Sequence, residues 1–407
     1  MEKLIDLTYE EYDSFVDTHK KSHFLQSYEW GQFCKDKKGL VPHYVGLKKN
    51  NKLIAACLIL AKKTPFKLYY GYSPRGFILD YEDFELIKEF TMLLKEYMKE
   101  NKYIYIKFDP DIKYQDIDEN ANPVEGGENN YKLYEYMKSL GYKHTGFYKN
   151  YNGNQPRYSF RINLKRPWEE VEGVFNKSFS KSIRRSYNYD LEIDNEPNAK
   201  AFFELHQKNS DKDDFNAHSS DYFETFTDDM KDKVKYFNAY IYPKKLADKF
   251  KQEIENVEKE LETNQKRKKD LEDQLVKLKK DYEEFKNIKE DKLLVCSLIC
   301  TYTKNRAWSF FIGNDVIGNT TFAVSRCYYE AIKDAHEKGY DFLDLFGTVG
   351  DPNTKVKNLA KLHDFKRKFG DEYIEFIGEF DLVNKKFMYK LLPILLKVYR
   401  KIRRSWN

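Results

Sequence analysis

Residues 244–292 read KKLADKFKQEIENVEKELETNQKRKKDLEDQLVKLKKDYEEFKNIKEDK. Positions 250, 254, 257, 261, 264, 268, 271, 275, 278, 282 and 285 of this stretch alternate four and three apart, and all except Asn264 and Lys268 are Phe, Ile, Val, Leu or Tyr. That spacing predicts a coiled-coil seam. A single helix of this length would end roughly 70 Å from its start at 1.5 Å per residue, too far to rejoin a neighbouring strand. Since the two polar seam positions fall together, the chain is expected to reverse near 263–268 and return as an antiparallel hairpin.

The hairpin lies between two strand-like runs, Val234 to Ile241 and Leu293 to Thr303. Further strand signals follow at Trp308 to Ile312, Asp341 to Phe346 and Tyr373 to Phe380, with helical runs at Phe322 to Lys338 and Leu359 to Lys368. The first half shows the same order. His43 to Leu47 and Leu53 to Leu60 form a predicted β-hairpin around Lys49-Asn50-Asn51, Phe84 to Tyr97 a helix, and Tyr103 to Phe108 a strand. A polar loop over 111–130, a helix ending at Gly141, and strands at 142–149 and 158–164 complete it. Ahead of these, Thr8 and Glu11 form a capping box that starts a first helix. The chain therefore reads as mixed α/β, built from a duplicated unit with the 244–292 hairpin standing where the first half has a short turn.

Composition agrees with two real cores. In 407 residues, 41% are hydrophobic and 16% aromatic, which excludes a disordered chain although mean hydropathy is -0.80. Cys34, Cys57, Cys296, Cys300 and Cys327 are odd in number and lack a CxxC pair, so they are expected to be reduced core residues. With no signal-peptide h-region and no run of about 20 apolar residues, the protein is expected in the cytoplasm. Net charge is +5, but residues 385–407 carry eight Lys or Arg and no acid among Phe387, Leu391, Ile394 and Leu395. This segment suits either peripheral contact with the inner face of an anionic membrane or a helix docked on the core with a solvated basic face.

Motifs with a built-in chemistry are sparse. The eight His residues lack ligand spacing, so no metal is expected, and neither a P-loop nor a G-x-G-x-x-G occurs. Lys181, Arg184 and Arg185 lie with Lys177 on the polar face of an amphipathic segment carrying Phe175, Phe179 and Ile183. Such a face suits phosphate or serves as solvated surface. Asp109 follows a strand and Lys366 lies at the matching place in the second half, where ligands gather in α/β sheets. Asp109 is either a proton acceptor or an Asp-Pro strand terminator, and Lys366 can steady negative charge on a carbonyl oxygen.

Phe24-Leu25-Gln26-Ser27-Tyr28-Glu29-Trp30-Gly31, Tyr72-Ser73-Pro74-Arg75-Gly76-Phe77, Phe108-Asp109-Pro110, the 175–185 segment, Asp364-Phe365-Lys366-Arg367-Lys368-Phe369-Gly370 and Ile377-Gly378-Glu379-Phe380 occur in this order. Together they resemble the FemABX aminoacyltransferases, and the hairpin resembles the staphylococcal Fem and streptococcal Mur-type members. The resemblance implies two GNAT-like domains: 1–163, completed by 381–407, and 164–380, carrying the 244–292 hairpin. It implies transfer of an amino acid from aminoacyl-tRNA to the stem peptide of a peptidoglycan precursor, without cofactor or metal.

Carried residue by residue, Lys366 matches the lysine that steadies the reacting carbonyl, and Asp109 and Glu379 match acidic residues of a central channel. Arg75 matches a basic position of the precursor groove, and Trp30, Tyr72 and Phe365 belong to the same motifs. Lys181, Arg184 and Arg185 are the expected tRNA contacts. A lysine that binds precursor phosphate in a short member is replaced here by Cys34, with Lys35 next, and arginines expected around 214–220 are absent. The implied acceptor thereby moves from a UDP-linked towards a lipid-linked precursor. An acyl-CoA-dependent N-acyltransferase and a non-enzymatic coiled-coil adaptor at the membrane stand as the alternatives.

Overall fold

The computed structural model describes residues 3–213 and 218–404. Two twisted sheets dominate it. The first has seven strands in the order Ile5–Asp6, Val41–Lys49, Lys52–Lys63, Tyr69–Ser73, Tyr103–Phe108, Phe380–Val383 and Tyr142–His144. The second has eight, in the order Glu192–Asp194, Val234–Ile241, Leu293–Tyr302, Arg306–Asn314, Phe342–Asp344, Tyr158–Asn163, Glu372–Phe376 and Lys113–Asp116. The first seven places of the two sheets correspond. In each, the fourth and fifth strands pair in parallel and the other described pairs are antiparallel.

The sixth place in each sheet is filled from the other half of the chain. Tyr158–Asn163, which closes the first half in sequence, lies in the second sheet, and Phe380–Val383, which closes the second half, lies in the first. The expected strand 373–380 is therefore two strands separated by Ile377-Gly378-Glu379. Gly378 adopts φ +95, and a Cβ there would sit 2.8 Å from His144 Nε2, so the crossover needs glycine. Similarly, the expected loop 111–130 contains the edge strand Lys113–Asp116, paired with Glu372–Phe376. All four of its residues are half-buried, so no apolar alternation announces it.

Between the sheets, Phe24, Trp30 and Phe33 from the first half pack with Phe226 and Trp308 from the second. A buried ion cluster crosses the same boundary: Arg161 reaches Asp111 at 2.7 Å and Asp344 at 2.8 Å, with Arg306 3.6 Å from Asp111. All five cysteines are buried and free. Helices Pro243–Thr263 and Lys268–Phe285 lie side by side, with Phe250 stacked near Phe285 and Lys279 bridging to Glu258 at 2.8 Å. Of the seam positions, Phe250, Val257, Leu271, Leu278 and Phe285 are buried, and Asn264 is the cap at the reversal. A helix over Lys386–Arg404 follows the last strand, and among the described residues no helix is long and apolar enough to cross a membrane.

Candidate functional site

The site begins at the C-terminal end of Tyr103–Phe108, whose parallel neighbour Tyr69–Ser73 delivers Tyr72 and the loop behind it. Buried Gln26 pins that loop: its amide donates to Ser73 Oγ at 3.1 Å and the Pro74 carbonyl at 2.7 Å, while its oxygen accepts from the Leu58 amide. Arg75 is thereby held at φ 52, with its backbone N–H donating to Asp109 at 2.8 Å. Tyr72 donates its hydroxyl to the other carboxyl oxygen at 3.0 Å.

Asp109 is 3% exposed, and burial drives its pKa up to about 7, with Glu379 adding to the rise and Arg75 opposing it. A carboxyl poised there can take or give a proton near neutrality. The Arg75 guanidinium lies over the Phe376 ring at 4.1 Å and donates to the Pro156 carbonyl at 2.7 Å. Glu379, at the strand crossover, meets Lys107 at 2.9 Å and accepts from the Asn154 backbone N–H. Arg75, Asp109, Gln155, Pro156 and Glu379 share one narrow pocket.

On the other side of Gln155 and Pro156 opens a cavity of about 480 Å³, lined among others by Trp30, Lys38, Phe346 and Lys366. Lys366, in the last turn of helix Lys357–Lys366, donates to the carbonyls of Phe346 and Gly347, the latter at 2.7 Å. Phe346 takes φ 54, and its N–H is anchored on Asp344 at 2.8 Å. Burial brings the Lys366 pKa down to about 7, against the pull of Asp344. Trp30 is 5% exposed, and its Nε1 has no hydrogen-bond partner among the described residues.

Lys35 is exposed and does not line this cavity. Lys38, whose ammonium lies 4.8 Å from the Trp30 ring centre, does. Phe365 lines an adjoining cavity of about 370 Å³ that shares Ile312, Tyr328 and Leu362 with the larger one. The basic helix Lys177–Ser186 buries Phe179 and Ile183 and leaves Lys181 and Arg184 exposed, whereas Arg185 stacks over Phe322 at 4.5 Å beside that adjoining cavity. Residues 214–217, part of the stretch where the resemblance leads to arginines that this sequence lacks, lie outside the described residues.

Of the residues singled out in the sequence, Asp109, Glu379, Arg75 and Tyr72 converge on one side and Trp30 and Lys366 on the other. Lys35 and the pair Lys181 and Arg184 stand apart. Lys107, Lys38 and the Asn154-Gln155-Pro156 segment were not anticipated. Lys107 did carry a signal, being the one charged residue of the apolar run Tyr103–Phe108.

Residues 7–397 match the FemAB family. The chain is 25% identical to the lipid II:glycine glycyltransferase of Staphylococcus epidermidis over 429 residues, covering 100% of this chain and 99% of that protein. It is 26% identical to aminoacyltransferase FemA of the same species over 430 residues, covering 97% and 99%. Among solved structures it resembles FemX with a TM-score of 0.78 at 22% identity, over 96% of this chain and 99% of that one.

Proposed function

The chain belongs to the FemAB family, and on that premise we propose that it is an aminoacyltransferase that moves an amino acid from aminoacyl-tRNA onto the stem peptide of a peptidoglycan precursor. The observation that carries this reading is the placement of buried Asp109 and buried Lys366 on either side of Gln155 and Pro156, where burial pushes the carboxyl up, and the ammonium down, to about 7. In the reaction, the stem-peptide amine attacks the aminoacyl ester carbonyl, a C–N bond forms, and the C–O bond to the tRNA ribose breaks. Asp109 accepts the proton lost by the amine and gives it up to the departing ribose oxygen, which leaves as the hydroxyl and returns Asp109 to its starting state. Lys366 still has an N–H beyond the two spent on the Phe346 and Gly347 carbonyls, and donates it to the oxyanion of the tetrahedral intermediate. Holding both substrates in register contributes the larger share of the acceleration.

The acceptor is read as lipid-linked. Phe387 is 76% and Ile394 60% exposed on the basic C-terminal helix, next to exposed Lys386 and Lys390, a face suited to peripheral contact with an anionic membrane. Exposed Lys181 and Arg184 are read as contacts to tRNA phosphates. Incubating the protein with a panel of charged tRNAs and with either lipid-linked or UDP-linked precursor, then weighing the products, tests the assignment. One residue mass added to the lipid-linked precursor supports it; addition to the UDP-linked precursor alone would refute the membrane-side acceptor.

A further inference from the structure

Lys107 stands in a row of polar residues that crosses four neighbouring strands of the first sheet. Tyr72 is opposite it on one side, Asp381 on the other, and Lys143 is opposite Asp381. The Lys107 ammonium is 2.9 Å from Glu379 and 3.1 Å from Asp381, which are 7% and 4% exposed. A buried carboxylate without a cation is costly, and here one lysine serves two. Burial disfavours the charge on Lys107, yet Asp381 and Glu379 more than offset this, and its pKa lies above the ordinary lysine value.

The chain of contacts runs in both directions from this lysine. Glu379 accepts from the Asn154 backbone, so the carboxylate that Lys107 holds in turn holds Asn154-Gln155-Pro156, the segment between the Asp109 pocket and the Lys366 cavity. Outward, Asp381 accepts from the hydroxyl of Tyr389 at 2.6 Å, and the Tyr389 ring meets Tyr105 edge-on at 5.2 Å with Lys143 above it at 5.0 Å. Tyr389 belongs to the C-terminal helix Lys386–Arg404.

We propose that Lys107 is a positioning residue for the transfer reaction: through Glu379 it fixes the 154–156 segment that separates the two reacting groups, and through Asp381 and Tyr389 it ties that segment to the C-terminal helix. The proposal rests on the reading of these cavities as the transfer site. Removing the ammonium leaves two adjacent buried carboxylates with no cation between them, so Glu379 protonates or turns away and the Asn154 N–H loses a charged acceptor.

The test uses the full chain and the variants Lys107→Met, Lys107→Arg, Glu379→Gln and the Lys107→Met/Glu379→Gln double variant. Amide hydrogen exchange over 150–157 is read alongside kcat and KM for transfer. Lys107→Met is expected to speed exchange in that segment and to lower kcat, each by about tenfold or more, with acceptor KM within about twofold. Lys107→Arg is expected to restore both, and Lys107→Met to add nothing in the Glu379→Gln background. Wild-type exchange in Lys107→Met, or independent multiplication of the two single effects, overturns the proposal.

Should Lys107→Met fail to fold, Tyr389→Phe carries the test, because it removes a single hydroxyl from Asp381. Faster exchange over 150–157 supports the tie, and unchanged exchange overturns it. If Asp109→Asn and Lys366→Met keep wild-type rates, the transfer-site reading falls, and exchange alone then decides whether Lys107 holds the segment.

Discussion

Lys366 donates its ammonium to the carbonyl oxygen of Gly347 at 2.7 Å, directly after the left-handed Phe346 and within a cavity that also contains Trp30. Two backbone carbonyls thus aim a buried lysine whose charge is already weakened by its surroundings. Replacing it with Met keeps the aliphatic stem and removes the donor. Lys366→Met should lower kcat by about 10²- to 10³-fold, the cost of losing one oxyanion donor, with little change in acceptor KM. Steady-state kinetics on the purified variant check this.

The pH profile follows from the two shifted groups. Asp109 is protonated below about 7, so the base form proposed to accept the amine proton appears as pH rises through that value. Lys366 loses its charge as pH rises through about 7. Activity should therefore peak near neutrality, falling on the acid side with Asp109 and on the alkaline side with Lys366. Lys366→Arg, which stays charged, should lose the alkaline limb.

Asp109 also makes a stability prediction independent of catalysis. Its folded pKa lies above the unfolded value, so the folded state binds more protons between the two, and the group's contribution to stability is lost as pH rises to about 7. Asp109→Asn keeps the shape and, through its amide oxygen, the acceptor for the Arg75 N–H, while its amide nitrogen replaces the oxygen that accepts from Tyr72, whose hydroxyl can turn to accept instead. Its melting temperature relative to wild type should climb between pH 4 and 7 and level off above.

Arg161 joins Asp111 and Asp344 across the boundary between the sheets, with side-chain exposures of 13%, 3% and 4%. Burial opposes the Asp111 charge, but Arg161 and Arg306 outweigh it and hold the carboxyl far below the usual range. Arg161→Ala leaves the buried Asp344 carboxylate without its salt bridge and Asp111 with Arg306 alone at 3.6 Å, and should cost about 3–5 kcal/mol in chemical denaturation. Breaking the exposed Arg267 to Glu260 pair at the hairpin tip should cost less than about 1 kcal/mol.

Lys181 and Arg184 are exposed on a helix whose other face is packed. Neutralising each to Gln should weaken tRNA binding and reduce the slope of log affinity against log salt by about 1 per residue. Arg185, stacked on Phe322, should instead perturb the adjoining cavity.

The two helices within 244–292 and the two-sheet plan were legible because their signals are periodic and apolar, with strands such as Tyr103–Phe108 and Val234–Ile241 whose ends fall as the pattern predicts. The return of the chain's end to the first half was implied by the resemblance, but the passage of Tyr158–Asn163 into the second sheet was hidden, as was the exact crossover, since Ile377-Gly378-Glu379 leaves the β pattern unbroken from Tyr373 to Phe380. Lys113–Asp116 was hidden because it is a polar edge. Within the candidate site, Asp109 was singled out by its place after the strand Tyr103–Phe108, and Lys366 by the resemblance of its motif. Lys107 and Lys38 matter through partners far away in sequence, Glu379 and the Trp30 ring, which only the fold brings near.

The most direct measurement is the intact mass of lipid-linked precursor after a single turnover with charged tRNA, followed over time for wild type and Lys366→Met. With Lys366 as the oxyanion donor, the expectation is that wild-type protein adds one amino-acid residue and that Lys366→Met forms the same product about 10²- to 10³-fold more slowly. No mass gain with any charged tRNA, or equal rates for the two proteins, would contradict it.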